Sequence, residues 1–292
     1  MENFLGVGLG HLTFALHRER LFAHWMRYLL GSLLLFSCTR RDLISVKGSD
    51  TVLPLSQAFA EKFLEKNSDM LISVTGGGSG VGIAALMNGD ADVAMSSRPL
   101  KLSERLKLAQ RGKSLIEDTI AWDVLAICVH PSNPVNRLTR AQLADIYTGR
   151  IKNWKEVGGL DMPILPYSRE SSSGTFEFFR EHILRGQDFA SEVRFIPATG
   201  MMVQSIAQTP GAIGYIGIAY VSSSVKPLSI AQDGDSTYYL PARTRAELSR
   251  YPIARPLYYY YDAQRAERVK PFIQFVHSPQ GRELVKKVGY VP

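Results

Sequence analysis

Between residues 71 and 221 the chain alternates short apolar runs with amphipathic stretches of helical spacing, and few folds accept that order. LISV at 71–74 reads as a strand, GIAALMNG as a helix stopped by Gly89, DVAMSS as a second strand, and RLKLAQRG as a helix stopped by Gly112. TIAWDVLAICV is the longest strand candidate and ends at the proline-rich turn HPSNPVN. Strands and helices in alternation bury a sheet under helical layers, so the predicted class is α/β. Ahead of them, VLPLSQAFAEKFLEKN predicts a helix opened by Pro54, with Leu55, Phe59, Phe63 and Leu64 as its apolar stripe.

The turn at 130–136 marks the first domain boundary. A second α/β unit follows: LTRAQLADIYTG with a Thr cap, the turn IKNWKEVGG, then MPILPYS, VRFIPATG, the helix MMVQSIAQ and the strand GAIGYIGIAYV. RPLYYYY reads as a strand whose rings form sheet core, and AERVKPFIQFVHSPQGRELVKKVG as one C-terminal helix. The expected division is an export segment at 1–38, one lobe from 43–130 with 226–292, and a second lobe at 131–225.

The 292 residues suffice for one or two buried cores, and 45% hydrophobic with 21% charged residues excludes a disordered chain. Net charge is +7. Lys and Arg are scattered rather than clustered and no nucleic-acid motif accompanies them, so the excess favours small anions over nucleic acid. Two cysteines, Cys38 and Cys128, do not make a disulfide framework. Cys128, inside VLAICVH, is expected to be a buried small hydrophobe.

Met26-Arg27 followed by the apolar run 28–36 has the layout of an export signal, too short to span a bilayer. Residues 1–25 fit no signal layout, which places the translation start at Met26. Leu35-Phe36-Ser37-Cys38 resembles a bacterial lipobox, in which the cysteine is lipidated and becomes the first mature residue; Phe36 is bulkier than that motif usually carries. The expected location is periplasmic or otherwise extracytoplasmic, with a lipid anchor at Cys38.

Three loops, GSDTVLP, GGGSGVG and SRESSSGT, each run into a predicted helix. A helix start carries unpaired amides and partial positive charge, glycine lets the backbone close around an oxyanion, and Ser or Thr hydroxyls rotate to donate. Capping alone also explains each loop taken singly. GGGSGVG lacks the spacing of a dinucleotide fingerprint, and no GxxxxGK[ST] occurs anywhere. Arg169 and Arg98 offer planar forks suited to a tetrahedral oxyanion.

Taken together, GSDTVLPLSQAFAEKF, VTGGGSGVGIAALMNGDADVAMSSRP, IYTGRIKNW, SRESSSGTFEFF, PGAIGYIG and YPIARPLYYYY resemble the phosphate-binding proteins of bacterial ABC-type phosphate importers. The resemblance covers nearly all of 47–292. It implies a two-lobed periplasmic-binding-protein fold with a ligand cleft between lobes, capture of inorganic phosphate there, and delivery to ABC permease subunits, with neither enzymatic activity, nor cofactor, nor metal. By motif, Thr51, Ser79, Ser97 and Arg98 would contribute from the first lobe, and Arg169, Ser173, Gly174 and Thr175 from the second. Many members carry an aspartate where Ser97 stands, accepting the proton of phosphate, and another carboxylate where Ser171 stands; Asp50 and Glu170 are the nearby substitutes. Phosphate over sulfate is thus less firmly specified than oxyanion binding.

The alternatives are a protein for another tetrahedral oxyanion such as sulfate, a serine hydrolase or phosphatase, and a sensor or adhesin on the same fold. A nucleophilic serine needs a base, and Gly77-Gly78-Ser79-Gly80-Val81 lacks the last glycine of GxSxG.

Overall fold

The computed structural model describes residues 42–242 and 244–292. The export segment, Met26 and Cys38 lie outside the described residues. In chain order the elements begin β1 (Asp42–Gly48), α1 (Leu53–Leu64), β2 (Met70–Thr75), α2 (Ser79–Asn88), β3 (Val93–Ser96), α3 (Leu102–Gln110) and the long β4 (Leu115–Val129). After the turn come β5 (Arg137–Thr139), α4 (Arg140–Tyr147), β6 (Leu165–Arg169), α5 (Gly174–His182), β7 (Arg194–Ile196), α6 (Thr199–Gln208) and β8 (Ala212–Gly217). The chain closes with β9 (Lys226–Pro227), β10 (Ser229–Ala231), the short α7 (Arg245–Leu248), β11 (Ala254–Asp262), α8 (Ala266–His277) and α9 (Pro279–Val288).

Nine strands form one sheet in the order β2-β1-β3-β11-β4-β8-β6-β7, with β9 also on β4. β4 is long enough to serve both sides: residues 115–124 pair antiparallel with β11, and 125–129 pair with β8. On the first side β1 runs parallel to β2 and β3; on the second, β6 runs parallel to β7 and β8. Parallel neighbours require crossovers, which α1, α2, α5 and α6 supply. Their N-termini therefore open at the carboxyl ends of the parallel strands, where ligands of α/β sheets collect. A small sheet of β5 and β10 ties 229–231 to 137–139.

β11 lies between β3 and β4, and Tyr258, Tyr259, Tyr260 and Tyr261 are all buried, as sheet core should be. Pro256, which has no amide to give a ladder, sits where β11 pairs with β4 alone; pairing with β3 begins only at Tyr258. Around Tyr147 the second side packs rings: Phe179 stacks on Tyr215 with centroids 4.0 Å apart, and Tyr147 meets Phe179 edge-on at 4.7 Å. Such pairs contribute about 0.5–1.5 kcal/mol each beyond their buried area. Cys128 is a free, buried thiol in β4, and burial pushes its ionisation well up, which suits a small hydrophobe.

Three sequence expectations change. DLISVKG forms the strand β1, which the alternation read from residue 71 omits. The C-terminal run is two helices, because Pro279 cannot continue α8; Ser278 caps the new start, accepting from the Gly281 amide at 3.1 Å. GAIGYIGIAYV stops being a strand at Gly217 and turns into a 3-10 segment, Ile218–Tyr220, because the Ile218 amide is given to the Asp123 carboxylate at 3.1 Å.

Candidate functional site

The three glycine and serine loops meet. Glycine makes the approach possible at Gly48, where φ is 139° and an added Cβ would lie 2.2 Å from the Met95 carbonyl oxygen. The chain then turns through Ser49, Asp50 and Thr51 into α1, with the Ser49 amide on the Met95 carbonyl at 3.0 Å. The second loop closes on the first: Gly78 donates to the Gly48 carbonyl at 2.9 Å, and Gly77 to Asp50 Oδ1 at 3.0 Å. The third loop meets the second where Gly80 donates to the Ser172 carbonyl at 3.0 Å. Starts of α1, α2 and α5 thus converge from both sides of the sheet.

The hydroxyls gather at that junction. Thr51 Oγ1 and Thr175 Oγ1 are 2.9 Å apart, and both threonines are buried. Ser79, although it opens α2, does not cap it; its Oγ accepts from the Ser97 amide at 3.1 Å and lies 3.4 Å from Ser97 Oγ. Gly174 packs directly against these two serines, since an added Cβ would come within 2.3 Å of Ser79 Oγ and 2.8 Å of Ser97 Oγ. Ser173 instead caps α5, accepting from the Thr175 amide at 3.1 Å.

Arg169 ends β6 buried beneath the junction and joins its two sides. Its Nη2 donates to Asp50 Oδ2 at 2.5 Å and to the Pro197 carbonyl at 2.7 Å, Nη1 to Thr199 Oγ1 at 2.6 Å, and Nε to the Ile196 carbonyl at 3.1 Å. Tyr215 fixes the strand end, its hydroxyl 2.5 Å from Ser168 Oγ and accepting from the Arg169 amide at 3.4 Å; burial pushes its phenol up to about 12. Asp50 is pinned from its backbone as well, its carbonyl accepting from Tyr220 at 2.6 Å, and the Thr51 carbonyl accepts from Tyr290.

Arg98 is engaged elsewhere. Its two terminal nitrogens fork onto Glu104 at 2.8 and 2.7 Å, tying the SSRP turn to the start of α3. Burial alone would raise the Glu104 carboxyl, but the bonds from Arg98 and the Lys101 amide hold it below the usual range.

Two residues absent from the sequence-based set complete the junction. Asp123, in the middle of β4, and Arg255, near the start of β11, are direct ladder partners and both are buried. Arg255 donates from Nε and Nη2 to Asp123 Oδ2 at 3.2 and 3.0 Å, and from Nη2 to Thr175 Oγ1 at 3.0 Å and Thr51 Oγ1 at 3.4 Å. Its guanidinium lies over the Phe178 ring at 5.2 Å, a cation–π contact. Burial pushes the Asp123 carboxyl up, against the opposing pull of Arg255 and the Ile218 amide. A usable signal existed: TIAWDVLAICV and RPLYYYY each place one charge in an apolar strand, which requires a buried partner.

Chemically the junction offers hydroxyls, helix-start amides and guanidinium edges. Among the described residues the histidines are engaged elsewhere: His130 bonds Ser132, His182 bonds the Phe178 carbonyl, and His277 bonds Asp118.

A family model described as "PBP superfamily domain" matches residues 37–280. Protein SphX of Synechococcus elongatus is 30% identical over 87% of this chain and 78% of its own length. The phosphate-binding protein PstS of Pseudomonas aeruginosa is 30% identical over 85% and 82%. A crystal structure from Clostridium perfringens, described as a putative phosphate ABC transporter substrate-binding protein with bound phosphate, superposes with a TM-score of 0.76 at 34% identity, covering 86% of this chain and 99% of that one. With its two-lobed α/β architecture, the chain belongs to the PBP superfamily, in the group that contains the phosphate-binding proteins of bacterial ABC-type importers.

Proposed function

We propose that the protein captures inorganic phosphate at the junction of its loops, outside the cytoplasmic membrane, and passes it to ABC-type permease subunits. One observation carries the reading: hydroxyls and helix starts from both sides of the sheet meet, with Thr51 Oγ1 2.9 Å from Thr175 Oγ1 and Gly174 packed directly against Ser79 and Ser97. In the proposed site Thr51, Ser79 and Ser97 donate from one lobe (43–130 with 226–292) and Gly174 and Thr175 from the other (131–225). Asp50 and Arg169 hold the lobes in register, Ser173 fixes the start of α5, and Arg98 braces the turn that carries Ser97. A micromolar site needs about 8 kcal/mol, which several such donors supply together while neither lobe supplies it alone.

Calorimetric titration of the full chain with phosphate, sulfate and arsenate tests this, between about pH 5 and 8 to span the second ionisation of a phosphoryl group. Phosphate is expected to bind with a micromolar or tighter Kd. Because Asp50, Asp123 and Glu104 each hold a guanidinium, and a serine hydroxyl both donates and accepts, the affinity is expected to vary little with pH and sulfate to compete measurably. Absence of heat with phosphate at millimolar concentration would defeat the reading.

The proposed anchor is a lipidated Cys38, beyond the described residues; no described helix is long and apolar enough to cross a membrane. Mass spectrometry of the mature N-terminus is expected to find Cys38 first and diacylglyceryl-modified. A free thiol at Cys38 would rule the anchor out.

A further inference from the structure

We propose that Arg255, on β11 where the two lobes meet, is itself an anion ligand, and that Asp123, on the strand β4 that serves both sides of the sheet, is its positioning residue. The inference rests on the oxyanion reading of the site and deepens it. Arg255 is 1% exposed, and its Nη1 is buried with no hydrogen-bond partner among the described residues. An unpaired buried donor on a charged group costs more than an ordinary lost hydrogen bond, so the position calls for an acceptor.

The planar fork says where that acceptor belongs. Nε and Nη2 both donate to one oxygen of Asp123, so the carboxylate occupies the side edge of the guanidinium. The second N–H of Nη2 lies on the end edge and reaches Thr175 Oγ1 and Thr51 Oγ1. The inward N–H of Nη1 runs parallel to it along the same edge. One edge of Arg255 thus binds its positioning carboxylate while the other faces the threonine pair that brings the lobes together. Arg98, by contrast, puts both terminal nitrogens on the carboxylate of Glu104 and leaves no end edge open.

Asp123 is held in turn, its Oδ1 accepting from the Ile218 amide and its carboxylate oxygens lying 3.1 and 3.2 Å from where a Cβ on Gly217 would stand. The other two arginines have less to offer: Arg169 already makes four hydrogen bonds, and both terminal nitrogens of Arg98 are on Glu104, which leaves only its Nε without a partner among the described residues. Arg255 therefore supplies an uncommitted, preorganised guanidinium donor at the point where the hydroxyls of both lobes meet.

The test is phosphate calorimetry on full-length variants. Removing one partner of a buried ion pair can unfold a protein, whereas removing both is often tolerated, so the main variant is Arg255→Met with Asp123→Asn. It is expected to melt cooperatively and to bind phosphate about 30-fold more weakly, the loss of one charge-assisted contact. A folded double variant that binds within about threefold of wild type overturns the proposal. If it does not fold, Arg255→Lys decides: the lysine keeps the charge but not the fork, so a loss of about tenfold supports the proposal and a change below about threefold overturns it. Wild-type protein that is silent to phosphate but takes up sulfate or arsenate defeats the phosphate reading alone, and the same variants titrated with that anion judge Arg255 separately. Silence to all three defeats both.

Discussion

Arg169→Ala is expected to weaken phosphate binding by at least about a hundredfold, or about 3 kcal/mol. Two effects combine. Arg169 is the hub on which Asp50 of the first loop, Thr199 at the start of α6 and the carbonyls of Ile196 and Pro197 are assembled, so alanine releases four hydrogen bonds at once. More important, it leaves the Asp50 carboxylate without its cation beside the proposed phosphate position. At about 4 Å and an effective dielectric near 20, two like unit charges repel by about 4 kcal/mol, which outweighs any single donor that remains. Arg169→Ala with Asp50→Ala is therefore expected to bind better than Arg169→Ala alone, although worse than wild type. The double variant separates electrostatic repulsion from lost architecture, which a single substitution cannot do. Calorimetric Kd values and the melting temperatures of both variants check it; an Arg169→Ala protein that binds phosphate within threefold of wild type would remove Arg169 from the site.

How much of this could be read from the sequence depends on whether a signal was local. The loops were legible because glycine and serine ahead of an amphipathic run have a local meaning, and GSDTVLP, GGGSGVG and SRESSSGT do lie at starts of α1, α2 and α5. Their convergence was not legible from any of the three alone, since it depends on crossovers that return each helix start to the same end of the sheet. The roles within the loops were coarser still. Ser173 bonds its own helix while Ser79 reaches across to Ser97, yet both are serines near a helix start. Arg98 and Arg169 were equivalent forks in the sequence; only the fold shows that Glu104, six residues on, claims the first. Arg255 and Asp123 escaped because their strands were read for packing, and a charge inside an apolar strand has its explanation 132 residues away. β1 escaped for a related reason, its burial alternating from Leu43 to Gly48 with no turn signal to set it off from the preceding segment.

Gly174→Ala should produce the second large effect, a loss of phosphate affinity of about a hundredfold or more without loss of stability. Gly174 is the first residue of α5 and has no positive φ, so alanine suits its backbone and by helix propensity favours the helix by up to about 1 kcal/mol. The obstacle is what the methyl group would meet: Ser79 Oγ at 2.3 Å, Ser97 Oγ at 2.8 Å and Ser79 Cβ at 2.9 Å. A hydroxyl can rotate aside, but the Ser79 Cβ is fixed to its backbone. Closely packed surfaces do not absorb a methyl group of overlap, so the start of α5 must back away from α2. Donors arranged around one small anion then cease to reach it together, and preorganisation is lost before any donor is deleted. Gly200→Ala provides the control, because nothing lies within 4 Å of its added Cβ and its helix start is otherwise similar. The two variants should melt alike, within about 1 kcal/mol of wild type, and differ in phosphate Kd by about two orders of magnitude. Equal affinities would mean that the α2–α5 contact is dispensable for capture, and the anion would then have to be held within one lobe.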